Sequence, residues 1–118
     1  MTTQEVANRL VELVRQNEIT QCYQELYSAD CESLETSPMD GPIHLKGMDA
    51  ILEKGKKMQE NTEEFYGLTC SEPLVAGKFF SCTMVLDAKW KGMERMAMEE
   101  VCVYKVEDGK IVLEQFFY

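Results

Sequence analysis

Apolar positions change period once along the chain, from a helical repeat in the first third to strict alternation in the last half. Val6, Leu10, Leu13 and Val14 fall on one helical face, and Thr2 followed by Glu5 forms a capping box ahead of them, which predicts a helix over 3–16. Asn17 can cap a second start, after which Ile19, Cys22, Tyr23, Leu26 and Tyr27 repeat the spacing and predict a helix over 18–28. A short strand is expected over 31–36, ended by Ser37-Pro38, and the Gly- and Pro-bearing stretch 39–47 reads as a loop. Met48, Ile51, Leu52, Gly55 and Met58 then share a face of a third helix over 48–60, where the small Gly55 permits close approach. Glu53, Lys54, Lys56, Lys57 and Glu60 read as its solvated side.

From Phe65 onward the period is two. Phe80, Cys82, Met84, Leu86, Ala88 and Trp90 share the inward face of one strand, and Lys91-Gly92 supplies a turn. Met96, Met98, Glu100, Cys102 and Tyr104 share a face of the next, whose other face is also partly apolar, as in a central strand. Asp108-Gly109 tolerates the positive φ of a tight hairpin, so a last strand follows over 110–118. Helices first and an antiparallel meander afterwards make an α+β fold. Strands of ten or more residues coil around the helices into a cone with an open end. Its concave face under helix three can hold a pocket, and its convex face is either wet or buried in a partner.

Composition narrows the class. A length of 118 residues fits one domain spanning 1–118, and no stretch approaches the roughly 18 uncharged apolar residues of a membrane span. With 21 acidic against 12 basic residues the net charge is −9, which repels phosphate backbones and anionic lipid, so neither nucleic acid nor a membrane is an expected partner. Cys22, Cys31, Cys70, Cys82 and Cys102 are odd in number, without a C-x-x-C pair or a neighbouring His. They read as buried free thiols in a reducing cytoplasm, and the N-terminus lacks the basic and apolar regions of a secretory signal.

Glu35 is the main candidate for chemistry. Buried among Phe80, Met84, Trp90, Met96 and Met98, its carboxylate would lose solvation and bind a proton more tightly, which suits a general base or acid; facing solvent, it would only balance a lysine. Glu100 shares its strand face with large apolar residues and needs a partner or a proton. Two carboxyls in one cavity would divide into an ionised base and a neutral donor, whereas at a dimer interface Glu100 would bond across it, and a one-residue bulge would put Glu99 in its place. Tyr23, Tyr27 and Tyr104 either orient a ligand or pack as core, and His44, in the loop, is either surface or catalytic. Met48, Met58, Met84, Met93, Met96 and Met98 suit an adaptable apolar cavity or a packed core, with Trp90, Met84, Met98 and Cys102 the candidate ligand-lining set. Glu114-Gln-Phe-Phe-Tyr118 ends the chain on aromatics, as core or interface. No metal-ligand spacing, nucleophile elbow, dinucleotide fingerprint or P-loop is present, so no metal or cofactor is expected.

Leu26-Tyr-Ser-Ala-Asp30 leading into Ser33-Leu-Glu35, Lys46-Gly-Met-Asp-Ala-Ile51, Ser71-Glu-Pro-Leu74, Met98-Glu-Glu-Val-Cys-Val-Tyr-Lys-Val106, Asp108-Gly-Lys-Ile-Val112 and Glu114-Gln-Phe-Phe-Tyr118 occur in an order that resembles the SnoaL-like branch of the nuclear-transport-factor-two-like superfamily. The resemblance covers essentially the whole chain. It implies a cystatin-like, cone-shaped α+β barrel, a pocket between sheet and helices, and a homodimer packed through the convex face. Ketosteroid isomerases, polyketide cyclases and limonene-epoxide-type hydrolases in this superfamily share a carboxyl in an apolar pocket that transfers protons without a cofactor. Glu35 falls where the isomerases place their catalytic carboxylate, and Cys102 near their protonated acid, with Glu100 one inward step earlier. Helix one carries no Tyr to match the isomerases' phenol. The resemblance thus implies a small-molecule pocket acting as isomerase, cyclase or hydrolase on an apolar carbonyl or cyclic compound; the alternatives are a binding protein for a hydrophobic metabolite and a structural dimer module.

Overall fold

The computed structural model describes residues 1–36 and 41–118. Two helices open the chain, α1 (Thr3–Arg15) and α2 (Ile19–Leu26), followed by β1 (Tyr27–Glu35), β2 (Ile43–Lys46) and α3 (Met48–Asn61). β3 (Thr62–Cys70), β4 (Leu74–Ala76), β5 (Phe79–Trp90), β6 (Met96–Glu107) and β7 (Lys110–Phe117) complete it. Thr2 and Glu5 form the expected reciprocal cap, which satisfies backbone donors that the first turn of α1 leaves open. Asn17 does not start the second helix: its φ of 57° places it in the left-handed region, where it terminates α1, and Glu18 stands at the N-cap of α2. Helix two also stops earlier than its apolar spacing implies, because Tyr27 already has extended geometry and begins β1.

The strands form one mixed seven-stranded sheet in the order β2-β1-β7-β6-β5-β3, with β4 paired to β5. The sheet is unclosed, with β2 and β3 at its edges, and the three helices pack on it to make an α+β cone. The meander from β5 to β7 is antiparallel as expected, but β1 runs parallel to β7 and joins the meander to the N-terminal half of the chain. Part of the expected Gly/Pro loop is strand β2, which pairs antiparallel with β1; Met39 and Asp40 of that loop, with Ser37 and Pro38, lie outside the described residues. Asp108 and Gly109 both take positive φ, 51° and 75°, as the β6–β7 hairpin requires.

The core lies between α1, α2 and the inward sheet face, where Leu10, Leu13, Leu26, Phe80, Ile111 and Tyr104 are buried. All five cysteines are buried and free, and burial pushes the thiols of Cys22 and Cys31 up to about 12, which keeps them protonated. Helix α3 covers less. Of its expected inward stripe only Ile51 is fully buried, while Leu52 is 46 % and Met58 41 % exposed.

Candidate functional site: a carboxyl ladder on the concave face

Strand pairing lines the inward side chains up in rungs across the sheet. One rung contains Phe80, Tyr104, Glu114 and Ser33; the next contains Cys82, Cys102, Phe116 and Glu35; the third contains Cys70, Met84 and Glu100. Three successive rungs therefore each carry one carboxyl, from β7, β1 and β6. Toward the open end follow Leu68, Leu86 and Met98, then Phe65, Ala88 and Met96. Phe65 and Met96 are substantially exposed, as are Leu52 and Met58 of α3.

Glu35 is only 7 % exposed, and its charge is met by Lys54 of α3, whose ammonium lies 2.5 Å from Oε1 of Glu35 and 5.6 Å from the ring centre of Phe116. Lys54 is one helical turn from Ile51 and points inward, contrary to its expected place on the solvated side of the helix. Glu100 is half-buried and, among the described residues, receives one weak bond, from Sγ of Cys102 at 3.6 Å. Burial pushes Glu100 above the usual carboxylate range, and the nearby Glu35 and Glu114 push the same way against the Cys102 bond and Lys54.

Glu114 escaped the candidate set. It is 3 % exposed, with Tyr27 donating its hydroxyl proton to one oxygen and Ser33 donating to the other at 2.7 Å. Burial raises its proton affinity, and these two bonds and Lys54 oppose the rise. Simple alternation from Ile111 would turn Leu113 and Gln115 inward, but Val112 is an extra residue opposite the Lys105–Val106 step, so the face switches to Glu114 and Phe116. Tyr118, beyond β7, stands close to Glu35 and Glu100; burial and these two carboxylates push its phenol up to about 12.

The remaining candidates divide. Met84, Met98, Cys102 and Trp90 lie on the same face as Glu100, with Trp90 at the end of β5 beyond the Phe65 rung. Tyr27 is committed to Glu114, Tyr23 meets Tyr27 edge to face with centres 4.9 Å apart, and Tyr104 stacks on Phe80. His44 lies on the opposite sheet face, because it pairs with Leu34 and bonds Glu32 at 2.9 Å, both of which alternate away from Glu35. Among the described residues no three of His, Cys, Asp and Glu group closely enough to hold a metal ion. Two open clefts lie elsewhere: one of about 460 Å³ between α1 and Glu72-Pro73, and one of about 510 Å³ between the N-terminus and the β6–β7 turn. No helix is long and apolar enough to cross a membrane among the described residues.

Three carboxyls on one face of an unclosed sheet under three helices give the fold and site to compare with known proteins. The SnoaL-like domain family matches residues 1–118, and the chain belongs to that family. A crystal structure from Mesorhizobium loti, provisionally named a SnoaL-like polyketide cyclase, is 33 % identical with 100 % of both chains covered and a TM-score of 0.91. At 14 % identity, TerC co-crystallised with polyporic acid superposes with a TM-score of 0.78, over 99 % of this chain and 92 % of that one. A protein of ketosteroid isomerase-like fold from Catenulispora acidiphila, in complex with trimethylamine, is 17 % identical with a TM-score of 0.76, over 99 % and 87 %. These last two share the fold. No curated protein matches the sequence.

Proposed function

We propose that the chain binds a small apolar carbonyl or cyclic compound against its concave face and moves a proton on it without a cofactor, with Glu35 as base and Glu100 as the protonated donor. The observation that carries this reading is the three-rung carboxyl ladder, followed along the same sheet face by Met98 and by the half-exposed Phe65 and Met96. Carboxyls at unequal depth with unequal partners do not ionise together, and one base beside one neutral donor is what enolisation of a carbonyl compound needs. Met84 and Met98 would pack on the apolar body of the ligand. The co-crystallised small molecules in two proteins of the same fold support occupancy of such a site.

A second reading, a binding protein without turnover, is favoured by the Lys54–Glu35 ion pair, since a base already engaged by an ammonium can serve simply to orient a ligand. The outer sheet face exposes Val101 and Phe117, paired across β6 and β7, with Phe79 and Leu74 nearby on β5 and β4. We assign this face to a second copy of the chain, making a homodimer. Five free thiols suit a reducing cytoplasm.

The two readings separate in deuterium oxide. Incubation with a panel of cyclic ketones bearing enolisable C–H bonds should lead to loss of the α-proton signal of one or more members, and Glu35→Gln should slow that exchange about 10²–10⁴-fold. Binding without exchange leaves the orienting role, and exchange indifferent to Glu35→Gln removes Glu35 as the base.

A further inference from the structure

We propose that Lys54 is a positioning residue of this site: by resting its ammonium on Glu35 it makes Glu35 the carboxylate and leaves Glu100 as the proton carrier. The inference rests on the reading of Glu35 as the group that meets the ligand. The partners of the three carboxyls differ in kind. Glu35 has an ammonium at 2.5 Å, Glu114 has the two hydroxyls of Tyr27 and Ser33, and Glu100 has a single thiol at 3.6 Å. A full positive charge stabilises a poorly hydrated carboxylate most, two O–H donors less, and one S–H donor least. Three carboxyls served by one ammonium cannot all ionise without cost, so the proton settles where the partner is weakest, on Glu100.

The placement of Lys54 is fixed on two sides. Its ammonium sits between the Glu35 carboxyl and the face of the Phe116 ring, and its stem runs along α3 one turn beyond the buried Ile51. The other titratable groups around the ladder are neutral donors or too far down the sheet to replace it: Tyr23 of α2, Tyr27 of β1, Cys102 and Tyr104 of β6, and Tyr118 after β7. Lys54 is also the cation that bears on both Glu100 and Glu114, opposing the rise that Glu35 imposes on each. Removing it should therefore move the ladder as a unit, with Glu35 changing most.

The test needs no ligand, so it can fail while the proton-transfer reading stands, and the converse. Protein carrying ¹³C at the glutamate side-chain carboxyls is titrated by NMR, with Glu35, Glu100 and Glu114 assigned from their single Gln variants. In the wild type, Glu100 should take up its proton above the usual carboxylate range. Lys54→Met should move the Glu35 midpoint upward by about one pH unit or more, a tenfold gain in proton affinity, and Lys54→Arg should return it toward the wild-type position. Lys54→Gln gives the same reading if the methionine variant does not stay folded. A Glu35 midpoint unmoved by either neutral variant, or a wild-type Glu100 that takes up its proton within the usual carboxylate range, overturns the proposal.

Discussion

Tyr27, the first residue of β1, gives its hydroxyl proton to Glu114, the middle of β7, and the parallel pairing of those strands makes the contact possible. Both groups are buried, so neither has water to fall back on. Tyr27→Phe keeps the packing but removes the donor. It should cost about 1–3 kcal/mol in urea denaturation, the usual loss when a buried acceptor is left without its partner. A loss confined to a few tenths would mean that Glu114 is satisfied another way.

Glu100 gives a pH dependence with a definite sign. Its proton affinity is raised in the folded chain, so the folded state holds that proton more tightly than the unfolded one. The stability it contributes is complete below the unfolded value of about 4.3 and is lost as pH rises through the folded value. Glu100→Gln removes this loss. Denaturation midpoints measured from pH 4.5 to 8 should favour the variant increasingly as pH rises. Parallel curves would show that Glu100 is solvated as in the unfolded chain.

The β6–β7 hairpin should be sensitive at Gly109. Its φ is 75°, and an added Cβ would lie 3.0 and 3.1 Å from the backbone N and O of Met1. Gly109→Ala therefore combines left-handed strain with a clash against the start of the chain, and about 1–2 kcal/mol of destabilisation is expected in thermal melts. Gly55, with nothing within 4 Å of an added Cβ, is the matched control and should gain or hold stability on replacement by Ala.

Val101 is 45 % exposed at the centre of the outer sheet face, opposite Phe117. If two copies meet there, Val101→Lys should shift the population from dimer to monomer in sedimentation while leaving the circular dichroism spectrum unchanged. A wild type that is monomeric at all concentrations would leave that face to solvent.

Local signals in the sequence carried far. The Thr2–Glu5 cap and the Asp108-Gly109 turn are backbone chemistry written in neighbouring residues, and both occur as expected. The inward placement of Glu35 follows from Cys31, Ser33 and Glu35 alternating on β1. What failed was decided by distant pairing or by a one-residue offset. Tyr27 fits a helical face yet becomes strand because β7 offers it a parallel partner. The bulge at Val112 reverses the faces of β7 and so hid Glu114. Lys54 reads as solvated because of its charge, although its i+3 spacing from the buried Ile51 puts it on the inward side, while Leu52 is left 46 % exposed. His44 reads from its loop position as either surface or catalytic, and pairing with Leu34 turns it to the face opposite the acids.

The central claim, that a ligand meets the chain on the carboxyl-bearing concave face, is tested most directly by methionine methyl NMR during titration with the cyclic ketone panel. Met84 and Met98 lie on the face of Glu100, whereas Met1 lies at the other end against the β6–β7 turn. A bound ketone should shift the Met84 and Met98 methyl signals and leave Met1 in place. Shifts at Met1 alone, or none at Met84 and Met98 with any ketone that binds, would contradict the account.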